Sequence, residues 1–318
     1  MRIILIHNEV YMPVTSPLSL HRRHLLGAAA VATASTLVAP LARAADGWQT
    51  ATLPLGRQRD LKSAITGQEY RIFIAVPAVP APTGGFPVLY ALDGNATFPT
   101  LALMGRSRGG RARDPGRVPP VIVGIGYAVD QPYSIARGRD YTPPTGSAGP
   151  ATEGGVELFL DFIERELKPL VATLAPIDPA RQALYGHSYG GLCTLHALFT
   201  RPAMFQTYIA ASPSIWYGDQ AVLANEKGLA KRVAALPAKP SLMMTVGELE
   251  QPAPNAPLRD DHAAVAAKRR MVNEARDLAA RLQADNTLAR VQFQVLAHEN
   301  HGSAMFPAMA RGLEFFLG

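Results

Sequence analysis

The chain has one cysteine in 318 residues, Cys193, so no internal disulfide can hold it together. No group of His, Cys, Asp and Glu has metal-ligand spacing, and no cofactor is expected. Long apolar runs are also missing. The longest is Ala-rich, from Gly27 to Leu41, too short and too small in its side chains for a membrane span. Basic charge is scarcer than the formal net charge of +6 suggests. Four arginines and one glutamate lie in residues 1–44, so the other 274 residues carry 27 basic and 24 acidic side chains, a net charge of +3. That leaves no electrostatic footprint for nucleic acid.

Residues 1–44 read as an export signal. Arg22-Arg23 is followed by His24-Leu25-Leu26, then the Ala-rich run, then Ala42-Arg43-Ala44, a small-x-small site for a signal peptidase. The pair resembles the twin-arginine motif, with His21 where Ser or Thr is usual and Gly27 where Lys often closes it. The expected partner of the precursor is the export machinery, and the expected location is periplasmic or secreted. Either Met1 or Met12 could be the start. Residues 45–318 suit one α/β domain.

What the chain does have is glycine and proline, 27 of each. The informative cluster is Gly186-His187-Ser188-Tyr189-Gly190-Gly191. Gln182 to Tyr185 before it reads as a strand, and Leu192 to Thr200 after it as a helix. A sharp strand-to-helix turn of this kind presents its central serine above a sheet. Further strands are expected at 69–77, 88–92, 121–127, 205–212, 241–246 and 289–296. Helices are expected at 156–174, 263–285 and 303–316. Alternation of the two predicts a mainly parallel sheet with helices on both faces. Residues 105–118, with five arginines, and 128–155 read as long loops.

A serine hydroxyl needs a base, and the base needs a third group to hold its tautomer. Residues 45–318 hold His187, His196, His262, His298 and His301. His187 is expected to point away from the base position. His196 is expected to be packed or at the surface, and His262 to open an exposed helix. His298 and His301 follow the last strand, and His301, before Gly302-Ser303 and the last helix, is favoured. The acid is expected in Gly247-Glu248-Leu249-Glu250, with Glu250 preferred to Glu248. Two backbone N–H groups should face a developing oxyanion. Those of Tyr189 and Asn95 are the candidates, with Asp93 bracing the turn at Gly94.

Together these motifs resemble the esterase D-like "putative esterase" family of α/β-hydrolases, and within it the ferri-siderophore esterases, which cut catecholate triesters. The matching pieces are Leu92-Asp93-Gly94-Asn95-Ala96, Arg139-Asp140-Tyr141-Thr142-Pro143, the elbow through Leu192, Ser212-Pro213-Ser214-Ile215-Trp216, Gly247 to Glu250, and Glu299-Asn300-His301-Gly302. The resemblance implies an α/β-hydrolase fold. It also implies a triad of Ser188, His301 and a carboxylate near Glu250, and an oxyanion hole at Asn95 and Tyr189. It further implies a pocket walled by Trp216 and Tyr217 with Arg137 or Arg139 nearby. The substrate would be a small-molecule ester, such as a ferric siderophore that brings its own iron. A general or feruloyl-type carboxylesterase, an acyltransferase and a non-catalytic binding protein are the alternatives.

Overall fold

The structure is a computed structural model that describes residues 55–109, 118–145, 153–253, 255–257 and 260–318. The expected export signal lies outside the described residues, as do 110–117 of the Arg-rich stretch.

Eight strands form one sheet: β1 Arg57–Lys62, β2 Glu69–Ala75, β3 Phe86–Leu92, β4 Val121–Tyr127, β5 Ile177–His187, β6 Thr207–Ala211, β7 Ser241–Gly247 and β8 Arg290–Leu296. Their order is β1-β2-β4-β3-β5-β6-β7-β8. β1 and β2 pair antiparallel, β2 runs antiparallel to β4, and every other pair is parallel. This is the α/β-hydrolase arrangement expected from the sequence. β3 and β4 are buried along their whole length, which is why they read as unbroken apolar runs rather than alternating ones. β2 alternates, as a strand covered differently on its two faces should. β1 is an exposed edge strand of charged and polar residues.

Nine α-helices accompany the sheet among the described residues: α1 Gly94–Gly109, α2 Arg137–Tyr141, α3 Val156–Phe162, α4 Lys168–Leu174, α5 Tyr189–Thr200, α6 Leu229–Ala234, α7 Asp261–Arg269, α8 Met271–Ala284 and α9 Met305–Leu317. α1 and α9 share a core with one face of the sheet through Phe98, Leu101, Met309 and Leu313. α3, α4, α5, α6 and α8 contribute to the core on the other face, around Phe159, Val171, Leu195, Val233 and Leu278. Cys193 is buried in α5, as expected.

Five expectations need correction. Asp93-Gly94-Asn95 does not merely turn the chain. It starts α1, whose glycines and internal Pro99 weaken the helical signal. Residues 105–109 therefore belong to a helix rather than a loop, and Arg108 packs its side chain inward to pair with Glu314 at 2.7 Å. The expected loop at 128–155 contains α2, with 146–152 outside the described residues. The long helix at 263–285 is two helices, because Arg270 takes a left-handed conformation (φ 48°) between α7 and α8. The expected helix at 156–174 is continuous but carries a π turn, Ile163–Leu167, where the N–H of Lys168 reaches back to Ile163. The following Pro169 has no N–H to give, so the ladder changes register beside it.

Candidate active site

β5 delivers Ser188 at the carboxyl end of the sheet. Its backbone sits at φ 61°, ψ −119°, a strained conformation for a residue with a side chain. Ser188 N–H donates to Ala211 at 3.0 Å, and its carbonyl accepts from Leu192 and Ser214. Tight packing holds the turn. A Cβ on Gly186 would lie 2.1 Å from the Gly190 carbonyl oxygen, and one on Gly191 would lie 2.8 Å from that of Ala211. Only glycine fits at these two points.

His301 stands in the loop between β8 and α9. Asn300 shapes that loop, accepting through Oδ1 from the N–H groups of Gly302 and Ser303, each at 3.0 Å. His301 Nε2 lies 2.9 Å from Ser188 Oγ, and Nδ1 lies 2.6 Å from Glu250 Oε2. With Nδ1–H donated to the carboxylate, Nε2 offers its lone pair to the serine hydroxyl.

Glu250 ends a short 3-10 turn, Glu248–Glu250, after β7. Its Oε1 accepts from Ser212 Oγ at 2.5 Å and from Gly247 N–H at 2.6 Å. Burial pushes its carboxyl up. The bonds from His301, Ser212 and Gly247 outweigh that push and hold it below its ordinary value. No role was expected of Ser212, although it opens the stretch Ser212-Pro213-Ser214-Ile215-Trp216. Its signal is its place directly after β6, at a positive φ of 43°.

The other candidate acid, Glu248, is not at the histidine ring. Its carboxylate accepts the His298 N–H at 2.8 Å, and both side chains face solvent. Glu250 folds back over its own turn to reach Gly247, and Glu248 extends away. His298 sits at φ 60° at the loop's rim. His187 also departs from expectation. It does not point away from the base: its Nε2–H donates to the His301 carbonyl at 2.8 Å, and the two rings are 4.8 Å apart. Burial, with His301 nearby, pushes its pKa down to about 4, so it is neutral at pH 7. His196 is packed, as expected, with Nε2 2.6 Å from Glu157.

Asn95 and Tyr189 are in the first turns of α1 and α5, where backbone N–H groups have no acceptor within their own helix. The Asn95 side chain is committed elsewhere. It donates to the carbonyls of Tyr127 and Val129 and accepts from Tyr127 N–H, which fixes the start of α1 against the end of β4. Asp93 does more than brace its turn through the backbone. Its buried carboxylate takes two hydrogen bonds from Arg137, each at 2.8 Å. The Arg137 guanidinium also lies 5.6 Å from the Tyr189 ring centroid.

A cavity of about 600 Å³ opens over Ser188 and His301, walled by Arg137, Trp216, His262 and Arg269. Trp216 and Arg137 are where the resemblance implied; the other expected wall residue, Tyr217, and the alternative arginine, Arg139, are elsewhere. Tyr217 is buried behind Tyr189, edge-on at 5.6 Å, with its hydroxyl on Glu153. Arg139 turns to Asp140 at 3.0 Å. Asp140 also accepts from the hydroxyls of Tyr70 and Tyr127, so that arginine closes a buried polar network instead of facing the cleft. His262 and Arg269 were not predicted as cleft residues. They come from α7, which buries no residue in the core.

Residues 63–291 match the family model described as "Putative esterase". The chain belongs to this esterase family. Over 277 residues, 84% of this chain and 91% of the relative, the esterase is 36% identical to the ferri-bacillibactin esterase BesA of Bacillus subtilis. It is 40% identical over 242 residues to a siderophore triacetylfusarinine C esterase of Aspergillus fumigatus, covering 73% of this chain and 82% of that one. Among solved structures, BES protein from Bacillus cereus superposes with a TM-score of 0.75 at 34% identity, covering 85% of the esterase and 98% of that chain.

Proposed function

We propose that this esterase hydrolyses siderophore ester bonds through an acyl-enzyme on Ser188. The observation that carries this is the unbroken hydrogen-bonded chain from Ser188 Oγ through His301 to Glu250, with steps of 2.9 and 2.6 Å. Ser188 Oγ attacks the ester carbonyl carbon while its proton passes to His301 Nε2. The charge on the carbonyl oxygen is met by the N–H groups of Tyr189 and Asn95. Glu250, held ionised by its donors, stabilises the imidazolium. The C–O bond breaks, and the leaving alcohol takes the proton from His301. Water then attacks the acyl-enzyme, His301 accepts its proton and returns it to Ser188, and the carboxylic acid leaves.

Siderophore esters are the proposed substrates because two of the relatives named above are a ferri-bacillibactin esterase and a siderophore triacetylfusarinine C esterase, matched over 84% and 73% of this chain. The proposed site of action is outside the cytoplasm, on the strength of Arg22-Arg23 and Ala42-Arg43-Ala44. Ser188→Ala should abolish hydrolysis of a ferric triester and of a simple aryl ester while leaving the fold intact by circular dichroism. Persistent turnover of either ester would overturn the serine mechanism. Turnover of the aryl ester alone by the wild type would overturn the siderophore assignment.

A further inference from the structure

A second cavity of about 610 Å³ adjoins the cleft over Ser188, and the two share Trp216, Val265 and Arg269 as lining residues. Arg269 lies over the indole of Trp216, with its guanidinium carbon 4.1 Å from the ring centroid. α7 brings it there. His262, Val265, Ala266 and Arg269 recur at spacings of three and four, so one helix face lines the catalytic cleft.

The charges around this point are unequal in how far they are matched. Arg137, the other arginine of the catalytic cleft, is bound bidentately by buried Asp93. Arg270 lies 3.7 Å from Glu274 and 4.0 Å from Asp277. Asp219, Lys268 and Glu274 line the second cavity together with Arg269. Arg269 itself makes no ion pair among the described residues. It is exposed, rests on a flat aromatic face and borders both cavities. The guanidinium covers that face of the indole, so what it offers the cavities is its own outer plane and the N–H donors at its edge.

We infer that the stacked Arg269–Trp216 pair selects esters by charge and shape, taking a planar anionic arm of the substrate with its ring against the outer plane of the guanidinium or the indole edge and its oxygens toward the guanidinium N–H groups. This rests on the proposal that Ser188 is the hydrolytic centre.

The test compares two ferric triesters of similar size: a tris-catecholate, which is triply negative, and a tris-hydroxamate, which is neutral. In Arg269→Gln the ratio of kcat/KM for the anionic over the neutral ester should fall at least ten-fold, mainly through KM. Arg269→Lys should recover part of the loss. Added KCl should lower the wild-type ratio more than that of the glutamine variant. A ratio unchanged in Arg269→Gln would overturn the inference, as would equal losses for both esters. If the wild type cleaves neither, the hydrolytic proposal fails on its own. Quenching of tryptophan fluorescence by the two ferric complexes, with and without Arg269→Gln, then still reads the charge preference.

Discussion

Replacing Ser212 with Ala removes one of three donors to the carboxylate that orients His301. Ser212 is fully buried, and its hydroxyl lies 2.5 Å from Glu250 Oε1. A hydrogen bond to a charged group is worth about 1.5–3 kcal/mol, and more than that span is at risk when the acceptor is buried. At 1.36 kcal/mol per unit, the loss should raise the Glu250 carboxyl by roughly one to two pKa units. The balance is close enough for this to matter. Burial is the largest single influence on Glu250 and acts upward; the donors together overcome it. Because the folded carboxyl lies below its ordinary value of 4.5, the stability it contributes is full above that value and is lost as pH falls through the folded one. Ser212→Ala moves that loss to higher pH. The assay is the pH profile of kcat/KM on an aryl ester, with thermal unfolding at pH 5 and pH 8. The kcat/KM should fall across the profile, and the melting temperature should drop at pH 8, where the carboxylate is fully ionised, by no less than at pH 5. A kcat/KM equal to wild type, or a melting temperature lowered at pH 5 and unchanged at pH 8, would refute the argument that Ser212 holds the carboxylate.

Glu250→Gln should cost roughly 10³–10⁴ in kcat, by analogy with loss of the orienting carboxylate in other serine triads, while Glu248→Gln stays within about two-fold. Comparable losses in both variants would remove the distinction drawn between them. N-terminal sequencing of the exported protein should begin at Ala45; a product that retains Arg22-Arg23 would reject the signal assignment.

Much of this site was written locally in the chain. β3 and β4 are continuous apolar runs because both their faces are covered, and the elbow declares itself through glycines that no Cβ could replace. His301 follows from chain order, since the loop after the last strand returns over the elbow. What escaped the sequence depends on partners far away in the chain. Arg137 looked like a binding group because nothing nearby shows that Asp93, 44 residues earlier, holds its guanidinium. Arg139 is drawn off by its neighbour Asp140, whose burial depends on tyrosines from β2 and β4. The break at Arg270 has no glycine or proline to announce it. α7 hides its role because its inner face meets a cleft rather than the core, so its periodicity gives no hint of what it covers.

Two consecutive residues of one turn grip the same histidine. Ser188 meets its ring at 2.9 Å, and His187 meets its carbonyl at 2.8 Å. The spacing between nucleophile and base is therefore gauged by a single peptide unit. It does not depend on how the distant walls of the cleft are built. α7 and the segment around Trp216 can change size or charge, and so accommodate a different ester, without disturbing the register of the reacting atoms. The chemistry and the choice of substrate are carried by separable parts of the molecule.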